Sequence, residues 1–217
     1  MTVPWSDLSE LYGFIGNSLL TPMLRTSDAG LDPWFWRAVP SFGDAAIDAR
    51  VDAMERFAEA AQERCERGID VVESVSVEFT RLFVGPPKPA APPWETMYRG
   101  GSASVGFGEA TVEMRKRLHE AGLVVSNEVR QYEDHLGLEL LYLCEMCRRF
   151  ACGSERSLSE REIFEFIERH PLSWIGRFRT AIEESAPDGY FDLLVAWADS
   201  VLVFHATACR GVDPHAT

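Results

Sequence analysis

Val129, Tyr132, Leu136, Leu140, Leu143 and Cys147 stand three and four residues apart, and no other stretch of the chain limits the possible folds so sharply. That spacing draws one apolar stripe along a helix, so residues 128–150 are predicted to form one. Leu138 and Leu141 project from nearly the opposite side, Tyr142 and Met146 from one flank and Cys144 from the other. A helix that is apolar most of the way round sits in the middle of a bundle. Asp134, His135, Glu139 and Glu145 lie on it, so these ionisable groups face neighbouring helices. They must be paired, capping or functional, because an isolated buried charge is too costly to keep.

The rest of the composition fits a globular chain. Of 217 residues, 46% are hydrophobic, which is ample for a core, and one domain spanning 1–217 is expected. A net charge of −13 and a pI near 4.8 argue against nucleic-acid binding, since neutralising phosphates takes Lys and Arg clusters that this chain lacks. An acidic surface favours cationic partners. Five cysteines, Cys65, Cys144, Cys147, Cys152 and Cys209, are an odd number in a chain large enough to need no disulfide framework, and a reducing, cytoplasmic compartment fits them. The first residues lack the basic start of a secretory leader, and no apolar run is expected to reach the length of a membrane span.

Periodicity predicts helices along the whole chain. Ser6, Asp7, Ser9 and Glu10 supply capping chemistry for a helix from about Leu8, with Leu11, Tyr12, Ile15 and Leu19 inward and Pro22 ending it. Trp34, Phe35 and Trp36 are too apolar for a solvated loop and predict a short helix docked on the core. Asp44 begins an Ala-rich amphipathic helix that stops at Gly68. Residues 69–84 carry the β-branched Val71, Val72, Val75 and Val77, yet Val72, Val75, Phe79, Leu82 and Phe83 match a helical stripe, and no second strand exists to pair with them. Helix is the expectation there.

Pro86, Pro87, Pro89, Pro92 and Pro93 forbid helix in the next segment, and with Gly100, Gly101, Gly106 and Gly108 they bracket Trp94 in an irregular region of about 85–108, expected to be a mobile flap. Further helices follow over 109–121, from Ser157 or Ser159 to Arg169, over the Trp174, Ile175, Phe178 and Ile182 stripe, and from Tyr190 to Cys209 after a Pro187-Asp188-Gly189 turn. The fold class is all-α, a bundle of about eight to ten helices at ordinary helix lengths.

Three stretches together resemble one family. They are Arg81-Leu82-Phe83-Val84-Gly85-Pro86 running on to Pro92-Pro93-Trp94-Glu95-Thr96-Met97-Tyr98, then Tyr132-Glu133-Asp134-His135-Leu136-Gly137-Leu138-Glu139-Leu140, then His170-Pro171-Leu172-Ser173-Trp174-Ile175-Gly176-Arg177-Phe178. In this order, with helical segments between, they are similar to the TorD/DmsD family of cytoplasmic redox-enzyme maturation chaperones, which act on molybdoenzymes carrying twin-arginine signal peptides. One departure is that the family usually has Pro directly before its Asp-His pair, where this chain has Glu133.

The resemblance implies an all-helical chaperone without catalytic activity or cofactor, binding a twin-arginine signal peptide and the apo-form of a DMSO or TMAO reductase-like catalytic subunit. It further implies a monomer or a domain-swapped dimer exchanging helices at a hinge near 122–130. The family's peptide-binding positions fall on Leu82, Phe83, Pro93, Trp94, Asp134 and His135, with Tyr12 a further candidate. Physical reasoning adds that two guanidinium groups followed by an apolar segment call for carboxylates beside an apolar groove, for which Glu95, Glu133, Asp134 and Glu139 are candidates.

Plainer readings compete at each position. Asp134 reads as the N-cap of the central helix, His135 as a satisfied core histidine, and Trp94 as a plug holding its loop. Cys144 with Cys147, and His205 with Cys209, have metal-compatible spacings but no further ligands nearby, and no metal site is expected. The glycines from Gly100 to Gly108 match no phosphate-binding loop. Two other functions remain open: an assembly chaperone of the nitrate reductase branch, which engages its client without a signal peptide, and a helical hydrolase using Asp134 and His135 with Ser102 or Ser104. The second suffers from geometry, since adjacent helical residues diverge by about 100°.

Overall fold

Side-chain caps decide where most of the helices begin. The computed structural model describes residues 3–100, 108–125, 131–154 and 158–210. Among them are α1 (Trp5–Leu20), α2 (Pro33–Arg37), α3 (Ala45–Glu66), α4 (Val71–Phe79), α5 (Glu109–Glu120), α6 (Leu136–Ala151), α7 (Glu160–Arg169), α8 (Pro171–Ser185) and α9 (Tyr190–Arg210), with no strand. The all-α expectation holds. Asp32, Asp44 and Asp70 accept N–H bonds at the starts of α2, α3 and α4, and Ser159 forms a reciprocal capping box with Glu162 at α7. The helix expected over 69–84 is present as α4, widening into a π turn over Thr80–Val84.

The chain divides into two compact units, one comprising 1–20, 93–176 and 201–217, the other 21–92 and 177–200. In the first, α1 lies against α6 at a crossing made possible by two glycines. A Cβ on Gly16 would stand 2.9 Å from the carbonyl oxygen of Gly137, and one on Gly137 2.8 Å from that of Gly16. Leu8, Tyr12, Ile15 and Leu19 are buried on α1, and Leu136, Leu140, Leu143 and Cys147 on α6. Ser9 donates its hydroxyl proton to the Cys144 carbonyl at 2.9 Å, and Trp5 stacks on Phe150 at 4.0 Å between ring centroids.

In the second unit Trp36 is fully buried, donates its indole N–H to the Gly30 carbonyl at 2.9 Å and meets Trp197 edge to face at 5.1 Å. Trp34 behaves differently: it is 71% exposed, with the Arg37 guanidinium 4.9 Å over its ring. Phe79, Phe83, Phe178 and Phe191 form an aromatic cluster. Residues 85–91 fold back over the π turn, with the Ala91 N–H on the Leu82 carbonyl at 2.8 Å. Gly85 has φ +95° and Lys88 backbone packed where a Cβ would be, so only glycine fits the turn.

Two boundaries and one length differ from expectation. The central helix begins at Leu136, leaving Tyr132 in a turn and 43% exposed, while Val129 lies outside the described residues. Its apolar character all round is as expected, since Leu138, Tyr142 and Met146 are also buried. α1 begins at Trp5, earlier than Leu8, because the Leu8 N–H already finds the Pro4 carbonyl at 3.0 Å. α9, contrary to expectation, is long and apolar enough to cross a membrane, with 21 residues and a mean hydropathy of 1.3; 67% of that window is buried inside the protein. A core helix passes the same length and hydropathy test. Of the hinge expected near 122–130, residues 126–130 lie outside the described residues, as do Gly101, Gly106, Ser102, Ser104 and Ser157.

The glycine crossing gives a direct test. Gly16→Ala should lower stability by about 1–3 kcal/mol through overpacking against a backbone that cannot retreat. Gly13→Ala, whose new Cβ meets only the Cys144 sulfur at 3.4 Å, should be neutral or gain up to about 1 kcal/mol from helix propensity. Urea denaturation separates them, and equal midpoints would mean that α1 and α6 do not approach this closely.

Candidate functional site

The residues singled out at 93–95 and 134–135 meet across a short antiparallel clasp in the first unit. The Leu136 N–H donates to the Pro93 carbonyl at 3.0 Å, and the Glu95 N–H to the Asp134 carbonyl at 2.9 Å. Trp94 and His135 are thereby the bridged pair between two hydrogen bonds, the closest pairing an antiparallel ladder offers, with both side chains on one face. Their rings meet edge to face at 6.0 Å, and Tyr132 meets the other side of Trp94 at 6.4 Å.

Asp134 does not cap α6. That role falls to His135, whose Nδ1 accepts the Gly137 N–H at 2.9 Å. The physical reason is the clasp: Asp134 belongs to the bridged segment, and its carboxylate turns away from the helix to accept the Thr96 N–H at 3.0 Å and the Thr111 hydroxyl at 2.9 Å. It thus ties the short turn Glu95–Met97 to α5. With Nδ1 accepting, His135 carries its proton on Nε2. That nitrogen and the indole Nε1 of Trp94 are both buried and have no hydrogen-bond partner among the described residues. Burial alone pushes the His135 imidazole down to about 3.

Behind the clasp lies an acidic interior that sequence reasoning named only in part. Glu95 is fully buried; one oxygen stands 2.6 Å from Arg99 Nε and the other 2.9 Å from His170 Nδ1. Glu139, equally buried on α6, accepts the Trp174 indole N–H at 3.2 Å. Its carboxyl is held well above the ordinary value, first by burial, then by the charge of Glu95 and a hydrogen bond with it, with Asp134 adding to the effect and Trp174 opposing it. His170 was legible as a helix end before Pro171 and as the start of the third family-like stretch, with no role assigned to it. What could have drawn attention to it is that its neighbours, Phe166 four residues before and Trp174 four after, are buried at helical spacing.

The remaining candidates stand apart. Glu133 is engaged by both Arg115 nitrogens at 2.7 and 3.0 Å, a bidentate contact that lowers its carboxyl. Tyr12 is buried on α1 and bonded to His205 Nδ1 at 3.0 Å. Burial pushes His205 down to about 3. Leu82 and Phe83 belong to the second unit and are buried there. The Cys144, Cys147 and Cys209 thiols are free, and burial raises Cys147 and Cys209.

Removing the Asp134 carboxylate by Asp134→Ala strands two buried donors and should cost about 1.5–3 kcal/mol. Asp134→Asn retains an acceptor for Thr96 and should cost less, so the expected order of melting temperature is parent, Asn, Ala. Equal losses would show that the two threonine bonds do not hold the turn. His205 sets a pH dependence. Its folded value, about 3, lies below the free imidazole's 6.5, so its contribution is complete above pH 6.5 and is withdrawn as pH falls toward 3. His205→Gln should flatten that part of the acid limb in urea titrations at stepped pH; an unchanged limb would assign it to other groups.

Comparison with known proteins places the chain in a family. The family model described as nitrate reductase delta subunit matches residues 44–180, more than half of the chain. The Chaperone protein TorD of Vibrio parahaemolyticus serotype O3:K6 is 27% identical over 159 residues, 70% of each chain. The TorD of Vibrio atlanticus is 26% identical over 152 residues, 67% of this chain and 65% of that one. The Tat proofreading chaperone DmsD of Salmonella typhimurium is 27% identical over 125 residues, 56% of this chain and 55% of that one. All three of these relatives are named as chaperones. It belongs to the nitrate reductase delta subunit family, alongside the TorD and DmsD chaperones.

Proposed function

We propose that this chain is a cytoplasmic maturation chaperone that binds the twin-arginine signal peptide and the apo-form of a molybdoenzyme catalytic subunit, delaying export until the cofactor is in place. The observation that carries this reading is the pair of buried N–H donors, Trp94 Nε1 and His135 Nε2, held side by side without acceptors beside the 43% exposed Tyr132. An incoming peptide brings carbonyl acceptors for such donors and apolar side chains for the two aromatic rings. The relatives named as chaperones, one of them a Tat proofreading chaperone, support the same reading.

In this reading Trp94 and the exposed Tyr132 meet the peptide first and the buried Pro93 and His135 are reached when Trp94 moves aside, while Asp134 and Glu95 hold the clasp in register from behind. Leu82 and Phe83 are buried within the second unit and serve its packing, and Tyr12 supports α1. The arginine pair is met by acidic groups at the surface rather than by Asp134, Glu95 or Glu139, whose side chains are fully buried. The description of the matched family favours a second reading, an assembly chaperone for a nitrate reductase that recognises its client without a signal peptide.

A fluorescent leader peptide titrated against parent and Trp94→Ala tests the first reading. A buried aromatic anchor is worth about 2 kcal/mol or more, so Trp94→Ala should bind roughly 30-fold more weakly with its helical circular dichroism retained. Unchanged affinity would move the surface elsewhere. No binding by the parent, together with capture of the leaderless client subunit, would select the second reading.

A further inference from the structure

Glu95, Glu139 and His170 each offer one ligand atom within 4.8 Å of the others, and all three side chains are fully buried. Such a cluster needs a reason to exist, because carboxylates facing one another in a low-dielectric interior repel. Arg99 compensates one of them, through Glu95. The second remains. Glu139 receives the Trp174 N–H on Oε2, but its Oε1 is buried without a hydrogen-bond donor among the described residues. An oxygen in that position is satisfied either by a proton shared with Glu95 or by a cation.

We propose that Glu95, Glu139 and His170 bind a first-row divalent cation, with Glu113 orienting His170 and Trp174 orienting Glu139. Two carboxylates and one imidazole are a donor set suited to Zn²⁺, Mn²⁺ or Fe²⁺, harder than the thiolate sets that select softer ions. The surroundings have the second layer that metal sites carry. His170 presents Nδ1 to the cluster and Nε2 toward a Glu113 carboxylate oxygen 3.7 Å away, beyond hydrogen-bond length, and a small shift of Glu113 would bring it to where a carboxylate fixes the ring and the tautomer of a metal-bound histidine. A metal-bound Nδ1 requires the neutral ring with its proton on Nε2, facing Glu113.

Access is through Glu113. Its side chain is 25% exposed and lines a surface cavity of about 330 Å³ with Lys116, Arg117, Glu120 and Arg169. Arg99 and Arg169 both pair with Glu113, so their movement would open the cluster to that cavity.

The test uses the full-length protein stripped with chelator and then titrated with MnCl₂ and, separately, ZnCl₂. Calorimetry and elemental analysis after dialysis should give one Mn²⁺ or Zn²⁺ per chain, with a raised melting temperature that chelator reverses. Glu139→Gln keeps an acceptor for Trp174 and supplies an amide donor to Glu95, so it should fold while binding Mn²⁺ at least tenfold more weakly. Glu113→Gln, at the mouth, should weaken binding about 10- to 100-fold without losing the site. Absence of stoichiometric metal in the parent would overturn the proposal and leave a proton as the occupant. Equal Mn²⁺ affinity in parent and Glu139→Gln, showing metal held elsewhere, would overturn it as well. Should Glu139→Gln not fold, Glu113→Gln decides: unchanged affinity refutes the site.

Discussion

Two backbone hydrogen bonds, Leu136 to Pro93 and Glu95 to Asp134, hold the rest of the site in place. They are what turns a proline-rich segment and the entrance of a core helix into one object. Proline cannot serve as a ladder donor, yet Pro93 can serve as an acceptor, and it does so from the side that needs no N–H of its own. Because the pairing has room for one residue on each strand between its bonds, Trp94 and His135 are forced together, and their neighbours Glu95 and Asp134 point the other way. The clasp therefore separates two environments a few ångströms apart. One face carries aromatic rings and N–H donors, the other carries carboxylates.

That separation bears on how charge is used. Three carboxylates, Asp134, Glu95 and Glu139, are completely buried, in a chain whose net charge of −13 might suggest that acidic groups are simply abundant. Each is placed differently. Asp134 is satisfied by a backbone N–H and a hydroxyl, Glu95 by a guanidinium and an imidazole, and Glu139 by an indole with one oxygen left over. Buried charge is weak evidence for stability, since hydrophobic replacements often serve as well. Its value lies in geometry: donors from α5, from the 95–97 turn, from residue 170 and from α8 converge on acceptors that lie on or beside the head of α6.

Much of the fold was legible because helices announce themselves through spacing and caps. Asp44, Ser159, Gly68 and Pro187-Asp188-Gly189 acted where their chemistry said they would. The valines of 71–77 did form helix, since a β-branched run without a partner strand has no ladder to join. What could not be read was long-range. Asp134 next to a helix start satisfies every local rule for an N-cap, and it lost that role because Thr96 and Thr111, 38 and 23 residues away in sequence, offered donors that a local reading cannot weigh. His135 took the cap instead. Likewise Glu139 was legible only as one of several acids that could meet a cation and His170 only as a helix end in a family-like stretch, and it is their convergence on Glu95 that separates them from the rest.

The same geometry constrains what kind of recognition the Trp94 face can perform. A carboxylate attracts a guanidinium strongly only when the two can reach contact in a poorly solvated setting. Asp134, Glu95 and Glu139 are out of reach of any ligand on the surface, and Glu133, the acid nearest in sequence, already holds Arg115 in a two-point contact. Arginines arriving at this face would therefore meet long-range field rather than a paired carboxylate, and that field is weakened by the cations already bound to it. What the face does offer at short range is two oriented N–H donors beside two aromatic rings. Donors of that kind are costly to leave unmet and reward an acceptor at the right position. Were an extended segment to bind this face, as proposed, its selectivity would rest on backbone carbonyls and apolar side chains, and a preference for paired arginines would have to come from acidic groups at the rim.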